Sequence, residues 1–133
     1  MMENVKIAIV GAGDTSLLAA KTFGTVYPVI VFDMDSSQKK IFEEHGIAFS
    51  NKAEKLAEAG ILLITGSKHL IYQLDELVER CEIVGKHMKK GAVLIFEAPV
   101  CPGTTEDICI PLLEQHSGLT AGKEFFVGFW LTC

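Results

Sequence analysis

The feature that most restricts the fold is a set of six short runs, apolar at nearly every position, separated by amphipathic stretches. They are Val5–Val10, Val29–Asp33, Ile47–Phe49, Ile61–Thr65, Ala92–Phe96 and Phe125–Phe129. A strand with one face in water alternates apolar and polar residues. These runs do not, so both faces need cover, which a parallel sheet between two helical layers provides. Right-handed crossovers then set the expected strand order at 3-2-1-4-5-6, a doubly wound α/β Rossmann-type sheet. Residues 1–133 read as one such domain, without repeats or internal linkers.

The intervening stretches carry helix signals. Asp14–Phe23 follows a glycine turn, and Ser36–His45 has Ser36 or Ser37 as cap and Gly46 as stop. Asn51–Ala59 is expected to be capped by Asn51 and ended by Gly60. The longest helix is expected over Leu70–Lys90, with Ile71, Leu74, Leu77, Val78, Cys81, Val84 and Met88 on one face. Thr104–His116, capped by Thr104 or Thr105, is the last.

Charge and composition exclude several function classes. Apolar residues make up 49% of the chain and charged residues 22%, a globular balance. The net charge of −5 argues against nucleic-acid binding, which needs a basic stripe. Cys81, Cys101, Cys109 and Cys133 form no CxxC pair and no zinc-type cluster with the histidines, so no metal site is expected and the thiols read as reduced. The start of the chain does not read as a signal peptide, and no run approaches the ~18 apolar residues of a membrane span. The expected address is the cytoplasm, with no membrane partner.

Gly11-Ala12-Gly13-Asp14-Thr15-Ser16 lies between the first run and the first helix, where a dinucleotide-binding turn belongs. Gly11 permits the tight turn, and Gly13 removes a Cβ where a pyrophosphate approaches the helix N-terminus. Ser16 stands where a third glycine is usual. Asp33 follows Gly13 by twenty residues and ends the second run, placed to accept from the ribose hydroxyls of an adenosine. A carboxylate there repels a 2′-phosphate, so NAD is preferred to NADP. Asp14 competes with the pyrophosphate for the helix N-terminus. The expected cofactor-binding residues are Gly11, Ala12, Gly13, Asp14, Thr15 and Asp33, joined by Thr65 and Gly66 after the fourth run. Arg80, the chain's one arginine, reads as a solvated charge on the long helix. His45, His87 and His116 stand near helix ends, whereas His69 follows the carboxyl end of a strand.

The second half adds a resemblance. Glu97-Ala98-Pro99-Val100-Cys101-Pro102-Gly103-Thr104 resembles the E-S-T-V-P-P-G-T turn of the UDP-glucose/GDP-mannose dehydrogenase family. Ser117–Gly122 and Phe125–Phe129 are similar to its S-G-L-K-x-G stretch and to the strand before its S-P-E-R motif. The resemblance covers nearly all of this chain but under half of a full family enzyme. It implies an NAD-binding domain from enzymes that oxidise the C6 alcohol of a sugar nucleotide to a carboxylate through a cysteine thioester. It also implies that catalytic parts are missing. Pro99 stands in place of the family's turn threonine, Trp130–Cys133 replaces the S-P-E-R end, and the G-G-S-C-x-P-K-D motif has no counterpart. Cys101 stands in a different motif, so no catalytic residue is assigned. The abrupt tail is expected to reflect truncation or a frameshift. Such a domain has two expected partners beside the dinucleotide: a second copy of itself, or the missing half carried on a separate chain. Two further classes are open. One is a nucleotide-sensing regulatory module like those of potassium transport systems. The other is a small dehydrogenase of another type working as an oligomer.

Overall fold

The structure, a computed structural model, describes residues 5–65, 73–97 and 105–129. Strands β1 (Ile7–Val10), β2 (Val29–Phe32), β3 (Ala48–Ser50), β4 (Ile61–Thr65), β5 (Val93–Glu97) and β6 (Phe126–Phe129) form one sheet in the order β3-β2-β1-β4-β5-β6. Every neighbouring pair is parallel, with Ile7 of β1 in register with Val29 on one side and Ile61 on the other. This is the expected doubly wound topology. The connections are α1 (Asp14–Phe23), α2 (Lys39–Glu44), α3 (Gln73–His87) and α4 (Ile110–Ser117), with 3-10 turns at Ser36–Gln38 and Ala53–Glu58 and a π turn at Thr105–Cys109.

The apolar runs explain the layering. Successive strand residues face opposite sides, so β1, β2, β4 and β5 each feed two cores. Ala8, Val10, Leu62, Ile64, Leu94 and Phe96 pack with α3 residues Leu77, Cys81 and Val84 and with Leu113 of α4. Ile7, Ile9, Val31 and Leu63 pack on the other face with Ala20 of α1 and Phe42 of α2. A fully buried side chain of this kind contributes roughly 1.5–3 kcal/mol. The centre of the sheet is therefore closed to polar function, and the strand ends are where a ligand can be met.

Three local expectations are corrected. The turn into α2 is capped by Asp35, whose Oδ1 accepts from the Ser37 N–H at 2.9 Å, rather than by Ser36 or Ser37. The α-helix expected over Asn51–Ala59 is a 3-10 turn over Ala53–Glu58, and Asn51 does not cap it. The Ser50 hydroxyl instead accepts from the Lys52 N–H at 3.0 Å, holding the chain extended until Ala53. The helix before β6 starts as a wide π turn at Thr105, and its regular part begins only at Ile110, with Pro111 in the first turn. Pro111 lacks the N–H that a regular α-helix would draw on there. Residues 70–72 of the expected long helix and Thr104 lie outside the described residues.

Candidate functional site

A cleft of about 520 Å³ opens beyond the carboxyl ends of β1, β2 and β4, on either side of the point where the strand order reverses. Open α/β sheets bind ligands at this place, and the volume is within the ~300–1,000 Å³ range of small-molecule sites. Gly11, Ala12, Gly13, Asp14, Thr15, Asp33 and Thr65 all line it. Gly66 and His69 lie outside the described residues, as do Pro99 and Cys101.

The glycine loop is held from two sides. Gly11 continues β1 by donating its N–H to the Phe32 carbonyl at 2.8 Å. Its φ of +106° is one that side-chain-bearing residues rarely adopt, and a Cβ there would lie 2.5 Å from Thr65 Oγ1 and 2.7 Å from Arg80 Cζ. Glycine is required by the fold itself at this position. Asp33 then clasps the loop. Its Oδ2 accepts from the Ala12 N–H at 2.8 Å and its Oδ1 from the Asp35 N–H at 2.9 Å. A carboxylate oxygen offers about two acceptor sites, so Asp33 keeps capacity to accept from a ligand while it fixes the loop.

Gly13 has no comparable internal reason. Its φ of 176° is extended backbone open to any residue, and among the described residues nothing lies within 4 Å of where its Cβ would be. Yet it lines the cleft, directly before α1. The first residues of a helix have no carbonyl one turn back to accept their N–H groups. In α1 the first such bond is from the Leu17 N–H to the Gly13 carbonyl at 2.9 Å. Ser16 is buried and folds back on Gly13, accepting from its N–H at 2.6 Å and donating to its carbonyl at 2.9 Å. It is more than a small stand-in for glycine.

Thr65 is also buried, and its hydroxyl donates to the Val10 carbonyl at 2.9 Å, with the Gly11 carbonyl at 3.2 Å, tying the end of β4 to the loop. Arg80 was the residue most misjudged from sequence. Its side chain is only 18% exposed, donates from Nη1 to the Thr65 carbonyl and pairs through Nη2 with Glu76 at 3.8 Å. The reading as a solvated charge is therefore wrong. The spacing held the signal, because Arg80 follows Leu77 by three residues and precedes Val84 by four, and both are fully buried. Exposed Met34, beside Asp33, also lines the cleft.

Outside the cleft, Cys81 and Cys109 are fully buried free thiols. Hydrogen bonding to Cys109, with burial, pushes the Cys81 thiol up. Burial likewise raises the Glu97 carboxyl at the end of β5. His45, His87 and His116 stand at the ends of α2, α3 and α4. Among the described residues no group of three or more His, Cys, Asp or Glu is placed to hold a metal ion, and no helix is long and apolar enough to cross a membrane.

No family model matches the chain. It is 34% identical to Protein CapL of Staphylococcus aureus, over 95% of its own length and 34% of that protein's. It is 30% identical to the UDP-N-acetyl-D-glucosamine 6-dehydrogenase of Pseudomonas aeruginosa, over 96% of its own length and 35% of the relative's. A similar solved structure is the NDP-N-acetyl-D-galactosaminuronic acid dehydrogenase from Methanosarcina mazei Go1, with a TM-score of 0.80 and 22% identity. The overlap covers 94% of this chain and 34% of that one, a likeness of fold. The chain thus spans about a third of the length of the relatives it matches.

Proposed function

We propose that this chain, a relative of the N-terminal part of the nucleotide-sugar dehydrogenases, is a dinucleotide-binding domain that holds NAD across its cleft. The observation that carries this reading is Gly13. Neither backbone conformation nor any described neighbour requires glycine there, and its bare Cα faces the cleft at the start of α1. A ligand that must approach the backbone closely supplies the reason. Its pyrophosphate would face the N-terminus of α1, around Gly13, Asp14 and Thr15. Asp33 would accept from the adenosine ribose hydroxyls, and its negative charge disfavours a 2′-phosphate there, which is the case for NAD over NADP. Met34 offers an apolar surface beside it. Thr65 would flank the ligand where it crosses from β1 toward β4. Bound NAD would supply a hydride acceptor at its nicotinamide ring.

The chain alone is proposed not to oxidise a sugar nucleotide. Pro99 has no hydroxyl where the resembling family has its turn threonine, and the family's thioester-forming cysteine motif is absent from the sequence. The remainder of the reaction would fall to a further chain or a further segment.

Calorimetric titration of the purified chain with NAD, NADH, ATP and a UDP-sugar tests the reading. NAD or NADH is expected to bind, and Asp33→Ala to weaken it. ATP-selective binding would point instead to a nucleotide-sensing module, and no response to any dinucleotide removes the proposal.

A further inference from the structure

We infer that Arg80 is the anion anchor of this cleft, the side chain that meets the pyrophosphate of the bound dinucleotide. The inference rests on the cofactor reading above and assigns a role to a residue outside the glycine-loop pattern.

Four observations lead to it. Arg80 is the one arginine in the chain and, among the described residues lining the cleft, the one basic side chain. Five carboxylates line the same space: Asp14, Asp33, Asp35, Glu76 and Glu79. A diphosphate entering it meets like charge there, and among the described lining residues Arg80 is the side chain that carries the opposite charge. The glycine loop gives less help than its pattern implies. The Ala12 N–H is engaged by Asp33 at 2.8 Å and the Gly13 N–H by Ser16 at 2.6 Å. Two donors that such a loop presents to phosphate are thus already in use, which leaves the first N–H groups of α1 and a side-chain donor to meet the anion.

The guanidinium is placed to supply it. Its Cζ and Nη2 lie 2.7 Å and 2.9 Å from the position of a Cβ on Gly11, so it packs against the loop where the ligand arrives. The Thr65 carbonyl and Glu76 orient it, and a guanidinium carries five N–H donors in a planar fork suited to two phosphate oxygens. A purely structural Arg80 would do no more than brace Thr65 against Gly11.

The test compares wild type, Arg80→Gln and Arg80→Lys in titrations with NADH and with adenosine, which lacks the pyrophosphate. Salt dependence and thermal melts are recorded for each protein. Arg80→Gln is expected to weaken NADH roughly 10- to 100-fold, the effect of losing a charge-assisted hydrogen bond. Its adenosine affinity should stay within about twofold, and the fall of NADH affinity with added salt should flatten. Arg80→Lys keeps the charge without the fork and should lie between, and it carries the comparison if Arg80→Gln does not fold. Equal losses for NADH and adenosine would mean bracing alone and overturn the assignment, as would unchanged NADH affinity in both variants. A wild type that binds no dinucleotide overturns the cofactor reading itself.

Discussion

Replacing Gly11 by alanine puts the loop geometry to a quantitative test. The backbone at Gly11 has φ +106°. Holding a side-chain-bearing residue in the left-handed region costs roughly 1–2 kcal/mol. The added Cβ would also lie 2.5 Å from Thr65 Oγ1 and 2.7 Å from Arg80 Cζ, so both contacts must be relieved. Neither moves freely, because Thr65 is buried and bonded to the Val10 carbonyl and Arg80 is bonded to the Thr65 carbonyl. Overpacking of this kind costs typically about 1–3 kcal/mol. Together the two effects come to about 2–5 kcal/mol. At roughly 2.1 cal/mol/K of unfolding entropy per residue, a chain of 133 residues loses about 3–4 °C of Tm per kcal/mol. Gly11→Ala should therefore melt roughly 7–18 °C below wild type by calorimetry or circular dichroism. A variant melting within about 2 °C of wild type would refute the geometry assigned to the loop.

Two more substitutions probe the same region and the far end of the sheet. Ser16→Ala removes both bonds to Gly13 and should cost about 1 kcal/mol, as the loss of a helix-start side-chain bond does, while the released Gly13 N–H raises NADH affinity a few-fold. Weaker NADH binding in this variant would contradict the view that Ser16 competes with the ligand. Glu97→Gln tests the raised carboxyl. A carboxyl whose folded pKa exceeds its ordinary value of 4.5 stabilises the fold below that value and loses the contribution as pH rises through the folded pKa. Glu97→Gln should thus melt above wild type near neutral pH, with the gap closing toward pH 4. A gap that does not change with pH would exclude the desolvation account.

What could be read from sequence follows from what each feature depends on. α1 falls at Asp14–Phe23 and β4 at Ile61–Thr65, as expected, because a glycine loop bounds one and an uninterrupted apolar run defines the other. The sheet order followed from the same runs through the handedness of crossovers. Asn51–Ala59 failed because a nearby cap signal says nothing of the few residues available between β3 and β4, where a tighter turn fits. Ser16 was legible as small, but its two bonds to Gly13 exist only once the loop has folded. Arg80 carried a signal of burial in its spacing to Leu77 and Val84, but its bonding partner needed tertiary information. Its principal partner, the Thr65 carbonyl, sits at the end of β4, fifteen residues away, and an arginine on a helix is ordinarily solvated. Gly11 and Asp33, by contrast, are legible in the sequence, since a turn glycine and an acid at this spacing serve one local geometry.

The central claim is that the cleft is shaped for a dinucleotide, and Gly13→Ala with NADH tests it most directly. The substitution fits the backbone conformation and meets no described neighbour within 4 Å, so the melting temperature should stay within about 2 °C of wild type. NADH should bind the wild type and bind the variant at least about tenfold more weakly, because the new methyl group fills the space of the pyrophosphate. Equal NADH affinity in two equally stable proteins would contradict the claim.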